Sequence, residues 1–170
     1  MTNTIDCPTF KPTLRIGDRG QDVKEMQKRL QKRFASIYTS AFQIDIDGVF
    51  GPQTEAAVKY LQCIAFLDTT GITDAATWNF ICDGVNSLTV VHQNSMGNTV
   101  KLVQQALLDC GFYHGAIDGY FKTNTEIAVK AFQADYSLVA DGVIGPNTWA
   151  ILIHLNTHID SCYCNYYGGC

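Results

Sequence analysis

Two histidines and two cysteines near the C-terminus have the donor types of a zinc site: His154-x3-His158-x3-Cys162-x-Cys164. If a helix continues through His158, the two imidazoles fall one turn apart on one face, and the two thiolates complete a tetrahedral set. Four protein ligands leave no open position, so a metal held there would be structural. The competing reading is a helix end with surface histidines, followed by a tail whose cysteines form disulfides. This second reading is preferred, so no metal and no cofactor are assigned. Cys110 and His114 have the residue types of a nucleophile and its base. Gly111 between them marks a helix end, which places the pair on a loop instead of in a dyad. Asp47 and Asp118 are carboxylates that recur at corresponding positions, but each stands in its own half of the chain, whereas a hydrolytic carboxylate pair must share one site. A carboxylate beside a glycine turn ordinarily accepts from the backbone of that turn. There is no His-Glu-x-x-His. With no complete catalytic set, the expectation is that the chain is not an enzyme.

The elements that position these residues are written twice. Asp47-Gly48-Val49-Phe50-Gly51-Pro52-Gln53-Thr54-Glu55 returns as Asp118-Gly119-Tyr120-Phe121-Lys122-Thr123-Asn124-Thr125-Glu126 at an offset of 71, and Gly71, Thr77 and Trp78 return as Gly142, Thr148 and Trp149. Upstream the offset is 77, with Gly20, Val23, Lys24, Gln27 and Leu30 matching Gly97, Val100, Lys101, Gln104 and Leu107. The extra length lies between Leu30 and Asp47, a loop insertion of the kind a surface connection tolerates. Each repeat predicts three helices. Val23, Met26, Leu30 and Phe34 recur at helical spacing, as do Val100, Val103, Leu107 and Cys110. Asp-Gly turns lead into a second helix, opened by Pro52 in repeat 1 and by a Thr123–Glu126 capping box in repeat 2; Thr99 is the expected cap of the first helix of repeat 2. Asp74 and Gly145-Pro146 open the third helices, on which Trp78 and Trp149 face inward. The expected organisation is all-α: repeat 1 over 13–83, repeat 2 over 90–155, and a Cys- and Tyr-rich tail over 156–170.

Bulk properties narrow the partners. A net charge of −4 over 170 residues lacks the clustered cations that nucleic acid requires. No apolar run approaches a membrane span, so no membrane insertion is expected. The segment Met1–Pro8 has neither the basic region nor the apolar stretch of a secretory signal. Seven cysteines leave at least one thiol unpaired in the monomer, and Cys63 and Cys110, on apolar helix faces, read as small buried hydrophobes.

Leu14-Arg15-Ile16-Gly17-Asp18-Arg19-Gly20-Gln21-Asp22-Val23, Met26-Gln27-Lys28-Arg29-Leu30, the Asp47–Val58 segment, Gln62, Gly71 and Thr77-Trp78, repeated from Gly97 through Leu152 with Asp141-Gly142-Val143-Ile144-Gly145-Pro146-Asn147-Thr148-Trp149, resemble the type-1 peptidoglycan-binding domain. That resemblance implies a three-helix wall-anchoring module. Its partner would be peptidoglycan or a muropeptide, alongside a cell-wall hydrolase on a separate chain. The location would be the cell wall, or the extracellular or periplasmic space, with the cytoplasm as the alternative. Repeat 1 departs from the pattern at Thr70, where repeat 2 has Asp141, and at Asp74-Ala75, where repeat 2 has Gly145-Pro146. Binding sugars and amides calls for a shallow groove with aromatic faces and a few polar groups. The candidates are Tyr113, Tyr120, Tyr136, Asp118, Lys130 and Asp141, on repeat 2 or between the repeats. The alternative function is a protein–protein scaffold on the same fold. The propeptides of matrix metalloproteinases use a similar module, but their Pro-Arg-Cys-Gly sequence is absent.

Overall fold

The apolar positions spaced three and four apart become the inner faces of six helices among the described residues. The structure is a computed structural model, described here over residues 6–37 and 43–156. Its helices are α1 (Gln21–Ile37), α2 (Pro52–Ile64), α3 (Ala75–Asp83), α4 (Asn98–Asp109), α5 (Thr123–Asp135) and α6 (Pro146–Asn156), with a 3-10 turn at Gly84–Ser87. Among the described residues there is no strand, and the all-α expectation holds; four isolated antiparallel bridges occur instead. The chain divides into two units at Ser87/Leu88, with α1–α3 in the first and α4–α6 in the second. Each unit has its own core. Met26, Leu30, Phe34, Leu61 and Trp78 fill the first, and Val103, Leu107, Phe132 and Trp149 the second.

What fixes the turns between the helices of each unit is polar. Four glutamines, Gln27, Gln62, Gln104 and Gln133, are at most 1% exposed. A buried carboxamide is costly unless both its ends are satisfied, and each of these is. The Oε1 of Gln27 accepts from the Gly48 amide, while its Nε2 donates to Asp47 Oδ1, Val49 O and Thr54 Oγ1. Gln104 does the same with Gly119, Asp118, Tyr120 O and Thr125, and Gln133 with Gly142, Asp141, Val143 O and Thr148. Gln62 grips Gly71, Ile72 O and Thr77, and Thr70 Oγ1 stands where the others have a carboxylate. In every case a glutamine on one helix clamps the turn that starts the next. Gly71 and Gly142 must be glycine: their φ values are +75° and +77°, and an added Cβ would lie 2.8 Å from Lys59 Cε and from Glu126 Cγ respectively.

The tryptophans tie down the segments that precede the first helix of each unit. Trp78 Nε1 donates to Pro12 O and Trp149 Nε1 to Thr89 O. Leu14 bridges to Thr73 and Val91 to Ile144 alongside these bonds. In the first unit Arg33 is buried and donates to Ile81 O and Cys82 O, satisfying carbonyls at the end of α3. Burial pulls its guanidinium below the ordinary value, with Asp83 acting the other way. A disulfide joins Cys7 to Cys82.

Several expectations are corrected. The Thr123–Glu126 capping box does not form: the N-cap of α5 is Lys122, without a side-chain cap, so Thr123 already lies inside the helix, and Glu126 pairs with Lys130 instead. Gly97 precedes α4 as its N-cap and Thr99 lies inside the helix. Thr70 is not a missing turn acceptor, since its hydroxyl oxygen accepts from the Ile72 amide and Gln62. Cys63 is disulfide-bonded, not a free apolar filler, and Cys110 is a free thiol only half buried. Of the proposed zinc set only His154, in the last turn of α6, lies within the described residues; His158, Cys162 and Cys164, with the 156–170 tail beyond Asn156, fall outside them.

Candidate functional site

The second unit gathers the candidate residues around two clamped turns. At the first, Asp118 accepts from Gln104 Nε2 at 3.0 Å, from the Tyr120 amide at 2.9 Å and from Lys122 Nζ at 2.8 Å. The Lys122 hydrogen bond, followed by those of Tyr120 and Gln104, holds its carboxyl well below the usual carboxylate range, and Lys122 is raised in turn. At the second, Asp141 accepts from the Val143 amide and from Gln133 and is lowered for the same reason, the backbone bond leading. Both carboxylates are already occupied with turn geometry, as Asp47 is in the first unit. Lys130 is paired with Glu126 at 2.6 Å one helical turn away.

The tyrosines separate. Tyr113 is corrected: it is 5% exposed, its hydroxyl donates to Ala116 O, and Gly115 packs so closely that an added Cβ would sit 2.6 Å from that hydroxyl. Its ring is packed inward, so only its edge reaches the depression beside it and it offers no open stacking face. Tyr136 ends α5 with its ring 4.8 Å from that of Phe132, which leaves it on the rim of the core. Tyr120 is half exposed on the first turn, with the Lys122 ammonium 4.9 Å from its ring centroid and the exposed Met96 paired across the bridge. The first unit has Val49 and Arg19 at those bridge positions.

Two shallow depressions flank these turns. One, of about 250 Å3, lies between the end of α4 and the start of α5, lined by Phe112, Tyr113, His114, Gly115, Asn124 and Ile127. The other, of about 240 Å3, lies between the end of α5 and the start of α6, lined by Leu138, Val139, Val143, Pro146 and Asn147. Their linings are mainly apolar or uncharged; Asp141 at the second is held in its turn. Sequence reasoning missed Asn124, Asn147, Phe112 and Val139. The first two were legible as a repeated Asn-Thr pair, one residue inside each helix start, had the repeat been sought within the domain as well as between domains. Among the described residues no group of three His, Cys, Asp or Glu side chains is arranged to hold a metal, and no helix is long and apolar enough to cross a membrane.

Comparison with known proteins follows the duplication. The family described as "Putative peptidoglycan binding domain" matches residues 19–81 and 96–152. The chain is 30% identical over 157 residues to the N-acetylmuramoyl-L-alanine amidase CwlM of Mycobacterium tuberculosis, covering 86% of this chain and 38% of the relative. It is 35% identical over 118 residues to a probable N-acetylmuramoyl-L-alanine amidase of Bacillus licheniformis, covering 66% of this chain and 31% of the relative. A spore cortex-lytic enzyme of Oceanobacillus iheyensis is 33% identical over 69 residues, 41% of this chain and 25% of the relative. The chain therefore spans well under half the length of these relatives. Their names correct the expectation that the chain is not an enzyme: similar sequence occurs within wall-lytic enzymes, so lack of a recognisable catalytic set in this stretch does not separate it from them. Matched over both halves and most of its length, the chain belongs to the peptidoglycan-binding domain family, whose domain it carries twice in tandem.

Proposed function

We propose that the chain holds the bacterial cell wall chiefly through repeat 2, taking up the glycan or stem peptide of peptidoglycan, and so targets or anchors the polypeptide that carries it. The observation that carries this reading is the surface of repeat 2. Exposed Tyr120 lies on a clamped turn, with exposed Met96 across the bridge from it, in the unit that holds two mainly uncharged depressions. Sugars and amides suit such a surface: a ring face for CH groups, and polar atoms that carry no formal charge. The hydrolase names of the relatives fit a module that keeps lytic chemistry at its insoluble substrate, on the same polypeptide or on a partner chain.

The test is co-sedimentation with purified insoluble peptidoglycan, compared with cellulose. The chain should pellet with peptidoglycan and stay soluble with cellulose. Tyr120→Ala should weaken binding by roughly 1–3 kcal/mol, the range for a stacking aromatic in a shallow site. The turn survives that change, because Gln104 grips the backbone carbonyl of residue 120 and not its ring. If Tyr120→Ala pellets like the parent while Val49→Ala on repeat 1 abolishes binding, the wrong repeat has been assigned.

A further inference from the structure

The two depressions of repeat 2 are copies of one another inside a single domain. Each starts where a helix ends in a residue of positive φ, Gly111 at +80° and Ser137 at +56°. The amides at those positions bond back to Leu108 O and Ala134 O, and the next amides, of Phe112 and Leu138, reach back to Leu107 O and Gln133 O. Each depression then meets the first turn of the following helix at an asparagine, Asn124 or Asn147, immediately before the clamp threonine, Thr125 or Thr148. Phe112 thus corresponds to Leu138, and Asn124 to Asn147.

Both asparagines are exposed, and neither carboxamide has a hydrogen-bond partner among the described residues. An apolar lip stands beside each: Ile127 is 60% exposed at the first and Val139 is 82% exposed at the second. A carboxamide offers one acceptor and two donors, which match the N–H and C=O of a secondary amide. The apolar lip suits a methyl group, and the Asp141 carboxylate is already taken up by Gln133 and the Val143 amide. A cavity near 240 Å3 is below the size of a drug-sized site, so each depression suits one small unit.

We propose, resting on the wall-binding reading above, that Asn124 and Asn147 form a matched pair of subsites, each taking one methyl-bearing secondary amide of the same wall polymer. Two chemical sources supply that group, the N-acetyl substituents of the glycan and the alanines of the stem peptide. Repeat 1 is not built this way. It has Gln53 where repeat 2 has Asn124, Ala76 in place of Asn147, and Asp68 in place of Val139.

The experiment uses the full chain and insoluble peptidoglycan. Asn124→Ala and Asn147→Ala should each weaken co-sedimentation on the order of fivefold, the net worth of a neutral hydrogen bond, and together on the order of twentyfold or more. Gln53→Ala on repeat 1 should bind like the parent, and an unchanged far-UV circular dichroism spectrum and melting temperature certify the fold of each variant. A second measurement follows the two side-chain amide signals by 15N NMR during titration with N-acetylglucosamine tetramer or with trialanine. The source that moves both signals is the ligand. If the parent chain fails to pellet, the wall-binding reading falls and the pairing with it. If the parent pellets, and the double variant pellets equally with neither probe moving either signal, the pairing alone is overturned.

Discussion

Replacing Gln133 with methionine isolates the polar clamp from ordinary packing. The two side chains have nearly the same length and volume, so no cavity of consequence is left. What is lost is an acceptor 2.8 Å from the Gly142 amide and a donor shared by Asp141 Oδ1, Val143 O and Thr148 Oγ1 at 2.9–3.1 Å. Asp141 is exposed and Val143 only half buried, so water can replace those two bonds. The buried Gly142 amide cannot be rehydrated without opening the turn, whereas the Thr148 hydroxyl keeps its hydrogen bond to Val143 O. One orphaned buried amide costs about 1–3 kcal/mol, which is the loss expected for the second unit. The chain has two tryptophans, one in each unit, so in a Trp78→Phe background urea unfolding followed by Trp149 fluorescence reads the second unit alone. Gln105→Met is the control, since Gln105 is exposed and bonds only Asp109. If Gln133→Met costs no more than that control, the clamp does not organise the turn and the account of the fold given above is wrong.

Other outcomes follow from the same structure. Trp78→Ala and Trp149→Ala should each cost about 3–5 kcal/mol in their own unit, because both rings are 1% exposed, and denaturant melts should show the other unit's transition in place. Cys7→Ser with Cys82→Ser opens a loop of 75 residues and should lower the first unit by on the order of 4 kcal/mol while leaving the Trp149 transition unchanged. Asp47, Asp118 and Asp141 all have carboxyls lowered in the folded state. Their contribution is therefore complete above the unfolded value near pH 4 and is lost as pH falls towards the folded values. Melting temperature should be flat from neutral to about pH 5 and drop below about pH 4, and Asp118→Asn should flatten that drop.

The helices and both cores were legible because apolar spacing and the tryptophans speak directly to burial. The Asp-Gly turns were equally plain, since few residues other than glycine accept positive φ. The glutamines were visible as recurrent positions, yet their role was hidden: glutamine is ordinarily a surface residue, and only a count of partners shows why four are fully enclosed. Thr70 departs from the pattern in type alone: its hydroxyl replaces a carboxylate as acceptor with the turn kept, which residue type does not reveal. Tyr113 was named as a candidate aromatic face, whereas its burial depends on Gly115 and Ala116 folding back over it, which spacing does not reveal. Asn124 and Asn147 were passed over because their kinship runs between halves of one domain, at an offset that the longer repeat obscures.

The clamps also determine where such a chain can change length. Downstream of each gripped turn the spacing never varies: the threonine always follows the turn acceptor by seven residues, from Asp47 to Thr54 through to Asp141 and Thr148. Upstream the same bond closes spans of 20, 8, 14 and 8 residues. Going from 8 to 20 residues adds only about 0.8 kcal/mol of closure entropy if the segment is flexible. The stretch between each glutamine and its turn is thus a natural grafting port, into which a foreign loop can be spliced while the hydrogen bonds behind it keep the next helix in register.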